Sequence, residues 1–176
     1  MAEAMWVFGY GALIWNPEFP VAEQRVARLY DWQRSFCMWS IHHRGTETDP
    51  GLVLALDHAA GKFCDGVGFR VQAGAEEATL AALRERELVS SAYLERRLPI
   101  DLAGGERVDA VAYVIDPEHV QYCHLDLNQQ AAVIAKAVGG RGTNRDYLIA
   151  TAAHLAALGI EDADLTWLAA EVQACD

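Results

Sequence analysis

Trp6-Val7-Phe8-Gly9-Tyr10-Gly11-Ala12-Leu13-Ile14 is an apolar run closed by two glycines around a tyrosine. Trp6-Val7-Phe8 has the length and composition of a short strand, and the Gly9-Tyr10-Gly11 step turns it. The start of this stretch imitates a dinucleotide-binding fingerprint, but Ile14 stands where the third glycine belongs. Asn16-Pro17 blocks an immediate long helix, and no strand–helix–strand unit follows. A doubly wound nucleotide fold is therefore excluded at the first turn.

Outward from that turn, the first half is rich in strands. Residues 25–39 alternate loosely and carry Tyr30, Trp32, Phe36 and Trp39. Residues 51–56 are a continuous apolar run, and residues 66–71 alternate before Gly74 breaks the pattern. Glu76 to Leu88 is helical in composition, with Ala78, Leu80, Ala81 and Leu83 among Glu and Arg. Two more strands are expected over 92–100 and 107–115, joined at Ala103-Gly104-Gly105. The last third is helical: Leu127, Ala131, Ile134 and Val138 form one stripe, and Tyr147, Leu148, Thr151, Leu155 and Leu158 another. Gly139-Gly140-Arg141-Gly142 is expected to cap and separate these helices, and a short helix covers about 162–174. Strands first and helices late predict an α+β fold: one domain over 1–176, with a compact, mostly antiparallel, barrel-like sheet flanked by helices.

Composition narrows the function. The chain has 176 residues and a net charge of −11, and only Lys62 and Lys136 among its fourteen basic residues are lysines. Without a basic stripe, neither nucleic acid nor an anionic membrane surface is an expected partner. Met1-Ala2-Glu3-Ala4-Met5 lacks a positive leader region, and no window approaches a membrane span. Cys37, Cys64, Cys123 and Cys175 are scattered, which suits reduced thiols and a cytoplasmic location.

No nucleophile elbow, Walker loop or zinc-type His/Cys set is present. His42-His43 are adjacent and His119 and His124 are five apart, so no metal site is expected. Two features remain. Gly9-Tyr10-Gly11-Ala12-Leu13 permits close backbone approach and can turn successive N–H groups toward an anion, although a plain strand-to-loop turn gives the same pattern. In Arg84-Glu85-Arg86-Glu87-Leu88, the two glutamates are two residues apart. On a helix they face different ways, so one can turn inward while the other is solvated, although a wholly solvated charged face has the same composition.

These residues, in this order, resemble the ChaC family of γ-glutamylcyclotransferases, the glutathione-specific kind. Trp6-Val7-Phe8-Gly9-Tyr10-Gly11-Ala12-Leu13-Ile14-Trp15 is similar to that family's opening block. His43-Arg44-Gly45-Thr46 with Pro50-Gly51-Leu52-Val53-Leu54-Ala55-Leu56, Gly66-Val67-Gly68-Phe69-Arg70-Val71, and Arg86-Glu87 with Tyr93 follow. His119-x-Gln121-Tyr122 and Gly142-x-Asn144-Arg145-Asp146-Tyr147-Leu148 complete the set, which spans roughly residues 5 to 172. The resemblance implies Glu87 as catalytic acid/base. It implies a γ-glutamyl-binding turn made of Val7, Phe8, Gly9, Tyr10, Gly11, Ala12 and Leu13, with Tyr122 and Tyr147 lining the pocket. It also implies no metal and no organic cofactor. Ala12 stands in place of the family's usual serine and Leu88 in place of a common methionine. Residues 94–98 lack the Pro-x-Trp type of pattern found in bacterial members.

The implied reaction closes a ring within the substrate: the γ-glutamyl α-amine attacks its own γ-carbonyl, releasing 5-oxoproline and the amine of Cys-Gly. The nucleophile arrives with the substrate, so the protein needs a proton carrier and oxyanion donors. The alternatives are a cyclotransferase for other γ-glutamyl amides and a non-catalytic small-molecule binder of the same fold. An anionic small-molecule substrate meeting a net −11 chain requires local attraction. The amides of Tyr10 to Ala12, Arg44 and Arg70 are the candidate donors, and residues 159–176 hold five acids and no Lys or Arg.

Overall fold

The structure is a computed structural model that describes residues 4–14, 17–88 and 92–174. Trp15 of the opening block and Cys175 lie outside the described residues. The chain forms two compact units: residues 1–34 with 56–119, and residues 35–55 with 120–176.

The first unit holds a closed barrel. Its strands are β1 (Trp6–Gly9), β2 (Val21–Ser40), β3 (Gly51–Val71), β4 (Tyr93–Leu102) and β5 (Arg107–Ile115), in the order β1-β3-β2-β4-β5. Residues 35–40 of β2 and 51–55 of β3 continue into the second unit. β1 runs antiparallel to β3, with Val7 opposite Phe69 and Gly9 opposite Val67. It runs parallel to β5, with Trp6 opposite Ala110 and Val7 opposite Val111. β4 and β5 form a long antiparallel pair from Tyr93↔Ile115 to Asp101↔Arg107. The sheet is thus mixed, and the parallel β1–β5 contact closes it, which removes the free strand edges. Val7, Phe8, Phe69, Ile100 and Ala112 are fully buried.

α1 (Glu76–Glu87) belongs to this unit. Its Leu83 packs with Val7, Leu13, Val71, Val111 and Tyr113 in one buried cluster, and the partly buried Leu80, Leu88 and Tyr93 cover it. A helix with few apolar residues is therefore held by one stripe directed at β1 and β5, and propensity supplies the rest.

The second unit carries α2 (Leu127–Ile134), the two-residue strands β6 (Val138–Gly139) and β7 (Gly142–Thr143), α3 (Asn144–Ala157) and α4 (Ala163–Ala174). Asp126 and Gln129 cap α2 reciprocally, at 2.8 and 3.0 Å. The Thr143 hydroxyl accepts from Asp146 N–H and starts α3. At the first residue of α3, the buried Asn144 accepts from Leu52 N–H at 2.7 Å and donates to Leu52 C=O at 2.8 Å. It completes the backbone of β3 as a neighbouring strand would.

Two expectations need correction. The runs at 51–56 and 66–71 are one strand, because residues 57–65, mixed in polarity and without a clear alternation, continue β3 beside β2; the Gly61 N–H, at φ 81°, donates to the Asp31 side chain at 3.0 Å. The Gly139–Gly142 segment is a hairpin rather than a helix cap. α2 stops at Ile134, and Val138 enters β6 largely exposed. No helix among the described residues is long and apolar enough to cross a membrane.

Candidate active site

Glu87 is the last residue of α1, one helical turn beyond Leu83 and on the same face. Its side chain is 18% exposed, and Glu85 is exposed. The expected split of the two glutamates is therefore present. Burial raises the Glu87 pKa above the ordinary 4.5, and the Arg86 guanidinium, 3.6 Å away, acts in the opposite direction. Desolvation prevails because the helix end sits beside the cluster that contains Leu83 and is flanked by Leu88.

The same cluster brings in the glycine turn, since Val7 at its start and Leu13 at its end both pack with Leu83. Val7, Phe8 and Gly9 form β1, Tyr10 and Gly11 form the bend, and Ala12 and Leu13 open a single 3-10 turn over Ala12–Ile14. The turn is fixed from behind through three successive carbonyls. A Cβ on Gly66 would stand 2.3 Å from Gly9 O, so only glycine lets that carbonyl lie there. Tyr10 C=O accepts from Arg34 Nε at 2.7 Å, and Gly11 C=O accepts from Ile14 N–H at 2.9 Å.

Arg34 is 8% exposed and also donates through Nη2 to Asp65 C=O. Motif reading overlooked it. The available signal was parity: Arg34 shares the inward register of Phe36 and Met38 on β2. Tyr113 was also overlooked. It is buried in the cluster, and its hydroxyl donates to Glu95 at 2.9 Å. Glu95 in turn receives a bidentate pair from Arg84 at 3.0 Å each. Burial first, then Glu95 and Glu87, push the Tyr113 pKa up, so this phenol lies within the field of the Glu87 carboxylate.

Tyr122 and Tyr147 belong to the second unit. Tyr122 bridges Met38 as a strand partner. Tyr147 is buried on α3, packs edge-on to Phe36, and accepts from Leu54 N–H at 3.3 Å. Arg44 lies 5.4 Å above the Tyr147 ring and donates to the carbonyls of Arg141 and Thr143. Arg70 is not an unpaired cation: its Nε bonds Glu23 at 3.0 Å. Among the described residues, no three His, Cys, Asp or Glu side chains cluster as metal ligands. An open groove in the first unit, lined by Met5, Trp6, Glu77, Leu80, Arg97 and Asp109, includes neither Glu87 nor the turn.

A sequence profile described as ChaC-like protein matches residues 5–175. The chain belongs to the ChaC-like family. This ChaC-like protein is 36% identical over 171 residues to the glutathione-specific γ-glutamylcyclotransferase of Escherichia coli K12, covering 96% of this chain and 73% of that protein. It is 32% identical over 177 residues to γ-glutamylcyclotransferase 2-3 of Arabidopsis thaliana, covering 97% and 89%. The crystal structure of a γ-glutamylcyclotransferase specific to glutathione from yeast matches with a TM-score of 0.87 at 21% identity, covering 98% of this chain and 97% of that one. That likeness shows the shared fold. The ChaC-like protein is thus a member of the γ-glutamylcyclotransferase family, with the α+β barrel expected of it.

Proposed function

We propose that this protein cleaves glutathione to 5-oxoproline and Cys-Gly, with Glu87 as the general acid/base. The observation that carries the reading is the Glu87 carboxylate, four-fifths shielded from water with its pKa raised by burial, beside the same apolar cluster that seats the glycine turn.

A proton carrier for this reaction must accept from an ammonium-derived amine and then give to a leaving amine. Its affinity for protons has to lie nearer to neutrality than that of a solvated carboxylate. Glu87 takes a proton from the substrate α-amine as that nitrogen bonds to the γ-carbonyl carbon. The C–N bond to the cysteinyl residue then breaks, and Glu87 returns the proton to the departing nitrogen. Atoms balance without water or a cofactor: one tripeptide becomes one lactam and one dipeptide. The N–H groups of Tyr10, Gly11 and Ala12 each point opposite the carbonyl that precedes them in the chain. The contacts of those carbonyls with Gly66, Arg34 and Ile14 support reading the turn amides as the donors to a carboxylate or to the developing oxyanion. Glutathione as substrate is supported by the glutathione-specific relative in Escherichia coli, and the cytoplasm, where it is plentiful and thiols stay reduced, is the proposed location.

The test incubates the purified protein separately with glutathione, γ-glutamyl dipeptides and glutamine, and measures 5-oxoproline. Release from glutathione well above that from the other amides is expected. Release from the dipeptides alone transfers the assignment to another γ-glutamyl amide, and release from none removes the catalytic reading.

A further inference from the structure

We propose that Arg34 is a positioning residue of the reaction: its buried fork holds the Tyr10–Gly11 peptide plane, and thereby aims and strengthens the Gly11 N–H as a donor to substrate. For its kinetic consequences the inference rests on the cyclotransferase reading.

Arg34 Nε donates to Tyr10 C=O at 2.7 Å, and Nη2 donates to Asp65 C=O. A guanidinium is planar and rigid, so two carbonyls on one fork fix each other's place, one on the bend after β1 and one on β3. In a trans peptide the N–H lies opposite the preceding carbonyl, and no described peptide is cis. Holding Tyr10 C=O toward Arg34 therefore directs the Gly11 N–H away from it. The bond is charge-assisted and shielded from water, since Arg34 is almost wholly buried. Drawing electron density onto the carbonyl oxygen polarises the whole peptide and makes its N–H the stronger donor. The following peptide is held by the Gly11 C=O bond to Ile14 N–H. Rotation of the Tyr10–Gly11 plane is consequently a motion that the Arg34 bond to Tyr10 C=O opposes directly.

Arg34→Lys keeps the charge and loses the fork, and Arg34→Met loses both. Per folded molecule, kcat/KM for glutathione is expected to fall about tenfold in the first and about a hundredfold in the second, the scale of losing one preorganised donor. The pH profile should stay in place, because Glu87 is untouched. A merely structural arginine would lower yield and Tm and leave kcat/KM per folded molecule unchanged. A crystal structure of Arg34→Lys should show the Tyr10–Gly11 peptide rotated; an unmoved peptide with unchanged kcat/KM overturns the proposal. Arg34→Ala assayed with added guanidinium covers a variant that folds poorly: recovery of activity supports the role, and no recovery refutes it. If the wild-type protein releases no 5-oxoproline from any γ-glutamyl compound, the cyclotransferase reading fails by itself. The peptide orientation in the variant crystal then decides the Arg34 inference.

Discussion

Around the first unit, the carboxylates of the barrel strands and the one at the end of α1 are treated in opposite ways. On the strands, Glu23 is bonded by Arg25 at 2.8 Å and by Arg70 at 3.0 Å, Asp101 by Arg107 at 2.6 Å, and Glu95 by Arg84 at 3.0 Å. Those arginine bonds hold all three below the usual carboxylate range. At the helix end, Glu87 has an arginine only 3.6 Å away, yet burial moves its pKa up. The contrast lies in geometry: the strand acids meet arginine nitrogens at hydrogen-bond distance in partly wetted settings, whereas Glu87 has a longer ion contact and an apolar flank. The paired acids stay ionised, and the desolvated acid holds its proton to higher pH than they do.

The largest break in that contrast is Glu87→Gln. It should cut 5-oxoproline release at least about a thousandfold, within the range for losing a general acid/base. Glu85→Gln, exposed on the same helix, should leave the rate unchanged. The same Glu87 variant sharpens the comparison through stability. Below pH 4.5, Glu87 is protonated in both the folded and unfolded chains and adds no pH-dependent term. As pH rises through the raised pKa of the folded state, the unfolded chain has already released its proton, so stability falls. Glutamine escapes this loss. Its Tm advantage over wild type should be absent in acid, grow with pH, and level off above the folded pKa. An advantage that is constant with pH would show that Glu87 is not desolvated.

Much of this site is visible in sequence because its parts are local. The β1 run, the glycine turn, α1 and the β4–β5 pair follow from apolar spacing and turn residues within a few positions of one another. Glu85 and Glu87 separate because a two-residue step on a helix must change face. What is not visible depends on partners far along the chain. Arg34 looks like one more charge in β2 until Tyr10 and Asp65 arrive from β1 and β3. Arg70 looks available until Glu23 meets it across the sheet. Residues 57–65 carry no strand signature, since their strand character comes from the backbone opposite. The β6–β7 hairpin is too short for periodicity, so its glycines resemble a helix stop.

A smaller break comes from Gly66→Ala. The added Cβ would lie 2.3 Å from Gly9 O and 2.8 Å from the Phe8 ring, in a buried strand that cannot retreat cheaply. A cost of about 1–3 kcal/mol in unfolding free energy is expected. The displaced Gly9 carbonyl should also turn the amide of Tyr10, so kcat/KM falls although residue 66 touches no substrate. Urea unfolding and steady-state kinetics measure the two effects separately. A destabilised variant with full kcat/KM would show that the turn is indifferent to what holds it from behind.

The smallest effect tests the arginine that sits on the wrong side of the comparison. Arg86 lies 3.6 Å from Glu87 and favours its ionised form, while also pairing with the exposed Glu18 at 3.3 Å. Arg86→Gln removes a charge that opposes the effect of burial on Glu87. The Glu87 pKa should then rise further, and the acidic limb of the kcat/KM profile should move to higher pH with little change in the plateau. Stability should change by less than about 1 kcal/mol, because the Glu18 pair is largely solvated. Arg107→Gln is the matched control: it frees Asp101 on the strands and should leave the limb where it is. A limb that moves equally in both variants would mean that net charge sets the profile. A shift confined to Arg86→Gln would assign the limb to Glu87 itself.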